Sequence, residues 1–231
     1  MKKYIFLAIS NIFIFFILPI TRIISKQNYE KFVLPKILSF TCNTKPINYQ
    51  RKKIIPSASG LVVEIGVGAG ANFKYYNPEK ILKIIAIDPS AELNNLAREE
   101  AKKYNYEIQI FNQSAETIPL EDNSIDTVVS TYTLCSIPNP DETMREVFRV
   151  LKPNGLFLFS EHGRSPDRFT AFIQDQIEFF YPFISGGCHC NRDIKKVISN
   201  TNLQFQSLDT TYLPGTQKFL GFNYWGSAIK L

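Results

Sequence analysis

The sequence predicts an α/β fold, a mostly parallel sheet with helices on both faces, and three observations carry that reading. Short apolar runs recur at 61–65 (LVVEI), 83–87 (KIIAI), 106–111 (YEIQIF), 125–130 (IDTVVS) and 155–160 (GLFLFS). Segments of helical pattern lie between or after them, near 90–103, 141–151 and 169–181. Strand alternating with helix implies βαβ units, whose right-handed crossovers distribute the helices over both faces. The tail departs from this pattern. Runs at 203–209 and 219–229 flank a Pro-Gly turn in "YLPGTQ", so they read as an antiparallel pair. Ligands of such a sheet sit beyond the strand C-termini, near the switch point by the first strand.

The chain has 231 residues, which suits one domain with a good core, or one domain plus an appendage. Its 45% hydrophobic and 20% charged content is that of a globular protein. The net charge of +5 is scattered. Arg51, Lys52 and Lys53 form the densest basic group and read as a solvated face, so no nucleic-acid partner is expected. Cys42, Cys135, Cys188 and Cys190 lack the spacing of a secreted disulfide framework, which points to a reducing compartment.

The first residues differ from the rest. From Tyr4 to Ile20 the chain is nearly all apolar, interrupted only by Ser10 and Asn11. Lys2 and Lys3 precede the run; Arg22, Lys26, Lys31 and Lys36 follow it. No small-residue cleavage site ends it, so residues 1–26 read as a retained hydrophobic helix and membrane anchor rather than a cleaved signal or a core helix. About seventeen residues is the short end of what spans a bilayer, and a segment lying in the interface fits as well. The heavier basic flank after the run favours a position of the following domain on the cytosolic side of the membrane. Residues 27–58 look helical but broken by Pro35, Pro46 and Pro56, with Phe32, Leu34, Ile37, Leu38 and Phe40 offering an apolar face.

The glycine loop Gly66-Val67-Gly68-Ala69-Gly70-Ala71 follows the first strand. It fits both the dinucleotide fingerprint and the loop that holds S-adenosylmethionine (SAM), and in both the glycines let the backbone turn sharply against the ligand. The surroundings favour SAM. Glu64, two residues before Gly66, would attract the α-ammonium of SAM and repel a pyrophosphate. Asp88, at the end of the second strand, suits ribose hydroxyls of either ligand. The stretch "NQSAETIPLEDNSIDTVVSTYTL" has no counterpart in the dinucleotide fingerprint.

These residues carry a resemblance. Glu64 to Gly70, Asp88, "SAETIPL", "IDTVVSTYTLCSIPNP" and "REVFRVLKPNGLFLFSEHG" resemble the class I SAM-dependent methyltransferases of the type 11 group. The similarity runs from about Asn28 to the C-terminus. "SGGCHCNRDI", "YLPGTQKF" and "YWGSA" look like the subgroup of membrane-anchored thiol methyltransferases of animals and their small bacterial relatives. The resemblance implies a Rossmann-like sheet of seven strands with the last antiparallel, in a SAM-dependent methyltransferase domain over 27–231. It implies SAM as cofactor and roles for its residues. Gly66, Gly68 and Gly70 would line the methionine end and Asp88 would hold the ribose. Ser114 and Ala115 would lie on the adenine edge, and Thr131 and Tyr132 would close over the cofactor. Asn72 and Pro89 are counted with them. Two departures stand out. Ala69 replaces a usual Thr or Ser, losing one hydroxyl contact. Asn154 replaces a usual Gly, which the tolerance of Asn for positive φ makes harmless.

Methyl transfer from a sulfonium is an in-line displacement that asks mainly for alignment and exclusion of water. A thiol acceptor must be a thiolate, so a base or cation nearby helps. Glu161-His162 ends the fifth strand at the expected pocket edge. His162 is a candidate base or loop cap, and Glu161 either orients it or pairs with Arg164 or Arg168. In Gly186-Gly187-Cys188-His189-Cys190, His189 is a second candidate base. A Cys-x-Cys beside His invites zinc, but structural zinc sites put two to four residues between cysteines, so a pocket wall or packing is expected and no metal. Phe169, Phe172, Phe179, Phe180, Tyr181 and Phe183 read as core packing or as an apolar roof. Tyr212, Tyr224 and Trp225 are candidates for the same pocket, with burial in the final hairpin the plainer reading for Trp225.

The expected function is methyl transfer to a small apolar acceptor at a membrane surface, a thiol first and a lipid amine or quinone-type ring next. A non-catalytic SAM-binding regulator is the reading from another class, and an NAD-dependent oxidoreductase a third.

Overall fold

The computed structural model describes Ser25 and residues 28–231. The apolar run at 4–20, and with it the expected anchor, lies outside them. Among the described residues no helix is long and apolar enough to cross a membrane.

A π-helical turn, Tyr29–Val33, leads into α1 (Leu34–Thr41) and α2 (Lys45–Ile54). The prolines act at the joints. Thr44 is the extended residue before α2, and Pro46 sits in the helix's first turn, where its missing N–H costs nothing. One face of α2 buries Ile47, Gln50, Arg51 and Ile54. The basic triplet is therefore not a uniform solvated face. At about 100° per residue only one of three neighbours can face the core, and that one is Arg51, 5% exposed, while Lys52 and Lys53 stay in water.

Seven strands follow: β1 (Gly60–Ile65), β2 (Ile81–Asp88), β3 (Ile108–Asn112), β4 (Ile125–Thr131), β5 (Leu151–His162), β6 (Leu203–Tyr212) and β7 (Phe222–Lys230). Their order in the sheet is β3-β2-β1-β4-β5-β7-β6. The first five are parallel, and β7 runs antiparallel between β5 and β6. The intervening helices are α3 (Ala91–Ala101), α4 (Pro140–Val150), α5 (Arg168–Ile177), α6 (Tyr181–Ile184), α7 (Ile194–Ser199) and α8 (Lys218–Gly221).

The sheet is covered on both faces, which is why its central strands read as unbroken apolar runs. Val63, Ile85, Val128 and Phe157 face one core, packed by Met144 and Val147 of α4 and Ile198 of α7. Their neighbours Val62, Ile84, Val129 and Leu158 face the other, with Ile54 of α2 and Ala97 of α3. Lys230 ties the end of β7 to the α4–β5 junction: its ammonium donates to the carbonyls of Phe148 and Leu151.

The expected elements shift at their ends. The helix expected over 169–181 divides into α5 and α6. The strand expected from 219 begins at Phe222, because Gln217 to Gly221 form a helical turn closed by Gly221 N–H on the Gln217 carbonyl. Strand β5 starts at Leu151, with Asn154 at φ 64°, the left-handed conformation that Asn tolerates. The sheet reverses direction of growth between β1 and β4, and the cleft lies there.

Candidate active site

A cleft of about 1270 Å³ opens at the C-terminal ends of β1, β2 and β4. That exceeds the roughly 300–1000 Å³ usual for one small ligand. Its floor is the glycine loop. The N–H of Gly66 donates to the Ile87 carbonyl at 2.7 Å, pinning the loop to β2. Gly66 and Gly68 both have positive φ, at 66° and 54°, but for different reasons. A Cβ on Gly66 would meet the Thr133 side chain at 2.1 Å; a Cβ on Gly68 would meet no protein atom within 4 Å. Gly66 is a packing requirement, whereas Gly68 leaves space for a ligand to approach the backbone.

Asp88 lines the cleft at the end of β2, with one carboxylate oxygen accepting from Gly68 N–H (3.0 Å) and the other from Ser90 N–H (2.9 Å). Burial raises its pKa against those two hydrogen bonds. Pro89, Ser114 and Ala115 continue the wall, and Thr131 and Tyr132 stand opposite.

Behind the loop lies a buried polar network. Glu64 accepts from Asn72 Nδ2 (2.9 Å) and from the Tyr76 hydroxyl (2.7 Å). Asn72 Nδ2 also donates to Thr131 Oγ1 at 3.0 Å, and Asn72 Oδ1 accepts from Arg51 Nη1 at 2.6 Å. Desolvation pushes the Glu64 pKa up to about 7 despite these donors and the nearby Arg51. Glu64, Gly70 and Asn72 do not themselves line the cleft; Arg51 does. The buried Nε of Arg51 has no hydrogen-bond partner. A buried cation with an orphaned donor in the wall suits an anionic group such as the carboxylate of SAM. Sequence reading missed Arg51 because its two lysine neighbours disguise it; the buried i, i+3, i+4 face of Ile47, Gln50, Arg51 and Ile54 was the available signal.

These features fit SAM: an open backbone at Gly68, a carboxylate at Asp88 for vicinal hydroxyls, and a cation at Arg51. Glu64, expected to attract the α-ammonium of SAM, instead lies behind the loop and is held by Asn72 and Tyr76.

The other side of the cleft is built around Tyr132. This residue has φ 57°, which costs a bulky side chain roughly 1–3 kcal/mol. Its hydroxyl donates to Asn223 Oδ1 (2.6 Å), its N–H bonds to the Ser160 carbonyl (2.8 Å), and its ring packs edge-on against His162 at 4.8 Å. Glu161 is fully buried and holds the following turn, accepting from Ser130 Oγ (2.7 Å), Thr133 N–H (2.9 Å) and Cys135 N–H (3.4 Å). Burial raises its pKa to about 6. It is a positioning residue; Arg164, offered as its partner, pairs with Asp175 instead. His162 does not line the cleft, and its Nδ1 lies 3.8 Å from Cys188 Sγ. His189 also stands off the cleft wall, hydrogen-bonded through Nδ1 to Glu178. Gly186 and Gly187, both at positive φ, do line it. Beyond them the wall is apolar: Leu34, Pro35 and Leu38 of α1, Ile137, Pro138, Pro182 and Phe183. The aromatic set divides, with Phe180 buried and Phe169, Phe179 and Phe183 exposed.

A seven-stranded sheet of this order, with β7 antiparallel, a glycine loop after β1 and an acid at the end of β2, is the Rossmann-like fold of the class I methyltransferases. The chain belongs to the SAM-dependent methyltransferase family, and S-adenosylmethionine is its methyl donor. The family model described as a methyltransferase domain matches residues 63–159. Thiol S-methyltransferase TMT1B of Rattus norvegicus is 34% identical over 175 residues, covering 73% of this chain and 70% of that protein. Ubiquinone/menaquinone biosynthesis C-methyltransferase UbiE of Geotalea daltonii is 26% identical, covering 76% and 77%. Among solved structures, the methyltransferase in a complex with the Haloferax volcanii Trm112 activator superposes with a TM-score of 0.66 at 16% identity, over 89% of this chain and 97% of that one.

Proposed function

We propose that the enzyme methylates the sulfur of a small apolar thiol, working at a membrane surface. The observation that carries this reading is the wall of the cleft. Beside the space for SAM it combines an apolar surface with a cation, Arg51, and it presents no histidine among the described residues. A thiol of pKa about 8.5 is roughly a tenth ionised at pH 7.5, and a nearby cation increases that fraction. An amine acceptor would call on a base, and the carboxylates of the cleft, Asp88 and Glu92, Glu99 and Glu100 of α3, lie apart from the apolar wall of α1 and α6.

SAM supplies the activated methyl group when bound. The residues of the chain do the remaining work. Gly66 and Gly68 bring backbone close to the methionine end, Asp88 takes the ribose hydroxyls, and Arg51 faces the carboxylate while favouring the thiolate form of the acceptor. Tyr132, held in its strained conformation by Asn223 and Ser160, fixes the wall between the two ligands. Leu34, Leu38 and Phe183 exclude water from the acceptor. The thiol proton leaves to solvent, and the attacking sulfur, methyl carbon and departing sulfur must be collinear. Similarity to thiol S-methyltransferases supports this reading, and the apolar run at 4–20 supports the membrane setting.

A quinone-type ring is the second reading, favoured by the size of the cleft and the likeness to a quinone C-methyltransferase. Full-length chain incubated with methyl-labelled SAM and separate pools of small apolar thiols, quinone precursors and membrane lipids decides. Label in methyl sulfides supports the proposal; label only in quinone or lipid overturns it. SAM binding without transfer to any pool favours the regulatory alternative.

A further inference from the structure

Sulfur collects at one place in the fold. None of the four cysteines forms a disulfide, and three of them, Cys135, Cys188 and Cys190, share one small buried cluster with Ile177 and Phe180. We propose that Cys135, His162 and Cys188 bind one thiophilic divalent cation, Zn²⁺ first among them.

The geometry is close to what that ion requires. One ligating atom from each residue lies within 4.8 Å of the other two, and His162 Nδ1 is 3.8 Å from Cys188 Sγ. Tetrahedral zinc, with bonds of about 2.0–2.3 Å, places its ligand atoms roughly 3.4–3.8 Å apart. Side-chain rotation of about 1 Å or less closes the difference. Two thiolates with one imidazole are a soft donor set that selects zinc over magnesium or calcium. The charges also balance: two thiolates neutralise the dication, so the complex can stay buried, and binding releases two thiol protons to solvent.

The surroundings already hold the ligands in place. Cys135 N–H donates to Glu161, and the Cys135 carbonyl accepts from His189 N–H at 2.8 Å. The Arg192 guanidinium pins the Leu134 and Ile137 carbonyls on either side. The three donors come from the turn after β4, the end of β5 and the loop after Gly186-Gly187, so a bound ion would tie those segments together beside the cleft. Three protein ligands leave a fourth position, the arrangement of zinc sites that exchange a ligand. The Cys188-x-Cys190 spacing concealed this set, because the second sulfur is contributed by Cys135 rather than by Cys190.

The test is a titration of reduced, chelator-stripped full-length protein with Co²⁺ and then Zn²⁺. One equivalent of Co²⁺ should produce a thiolate-to-cobalt charge-transfer band and the visible bands of tetrahedral cobalt, both abolished by Zn²⁺. Cys135→Ala and Cys188→Ala should each remove the charge-transfer intensity expected of two thiolates, and His162→Ala should weaken binding at least tenfold. Cys42→Ala and Cys190→Ala should leave it unchanged. Alkylation of the wild-type protein read by mass spectrometry covers a variant that fails to fold: Zn²⁺ should protect Cys135 and Cys188 and leave the labelling of Cys42 unaltered. Folded, reduced protein that takes up no Co²⁺, or thiolate bands that survive in the Cys135→Ala/Cys188→Ala double variant, overturns the proposal. Neither readout depends on which acceptor is methylated.

Discussion

The two walls of the cleft are built in opposite ways. The SAM wall comes largely from one contiguous stretch, residues 60–90, in which the glycine loop and a short 3-10 turn join β1 to β2, with backbone groups and a buried polar network as its working parts. The acceptor wall draws on α1, the turn after β4 and the segment around α6, and it works through apolar side chains and a strained tyrosine. One wall is specified by local chain geometry and the other by tertiary assembly. Changes on the first should act on cofactor affinity and folding. Changes on the second should act on the acceptor alone.

The largest effect should come from the packing glycine. Gly66→Ala places a Cβ against Thr133 at 2.1 Å in a left-handed conformation, and should lower stability by about 2–5 kcal/mol in denaturant titration. The buried acid of the network comes next. Because burial raises Glu64 to about 7, it contributes most stability when protonated and loses it as pH rises from about 4.5 through 7. Glu64→Gln should therefore gain on the wild type across that window, by up to about 3 kcal/mol. Unfolding free energies that stay parallel from pH 4.5 to 8 would break the account of the network. Asp88→Ala should weaken SAM binding by about 1–3 kcal/mol in calorimetry, and should also lower the melting temperature of the ligand-free protein modestly, because the N–H groups of Gly68 and Ser90 lose their acceptor. The smallest effect lies across the cleft. Phe183→Ser should raise the acceptor KM roughly two- to tenfold through lost apolar contact and leave SAM affinity alone. A matching loss of SAM affinity would mean the walls are not separable.

The same contrast explains what was legible in the sequence. Strand-helix alternation and "EIGVGAG" are short-range signals, so the parallel sheet, the loop and Asp88 could be read directly. The antiparallel tail was readable from its Pro-Gly turn, though the helical turn before Phe222 was not. Arg51 stood hidden in a basic triplet, because burial of one residue in three depends on how α2 docks on the sheet. Tyr132 in a left-handed conformation has no local signal at all: the constraint comes from Asn223, 91 residues away. His162 and Glu161 were correctly placed at the end of β5, but strand alternation turns their side chains to different surroundings, Glu161 into the core and His162 toward Tyr132 and Cys188.

The most direct measurement is SAM titration of the wild type and Gly68→Val, with thermal unfolding of both. The wild type should bind one SAM per chain. The variant, whose side chain would point into space empty of protein atoms, should lose at least tenfold in SAM affinity, and it should stay folded with stability lowered by about 1–2 kcal/mol for the left-handed conformation at φ 54°. Undiminished SAM affinity in a folded Gly68→Val protein would contradict the account, because the cofactor could not then lie against the glycine loop.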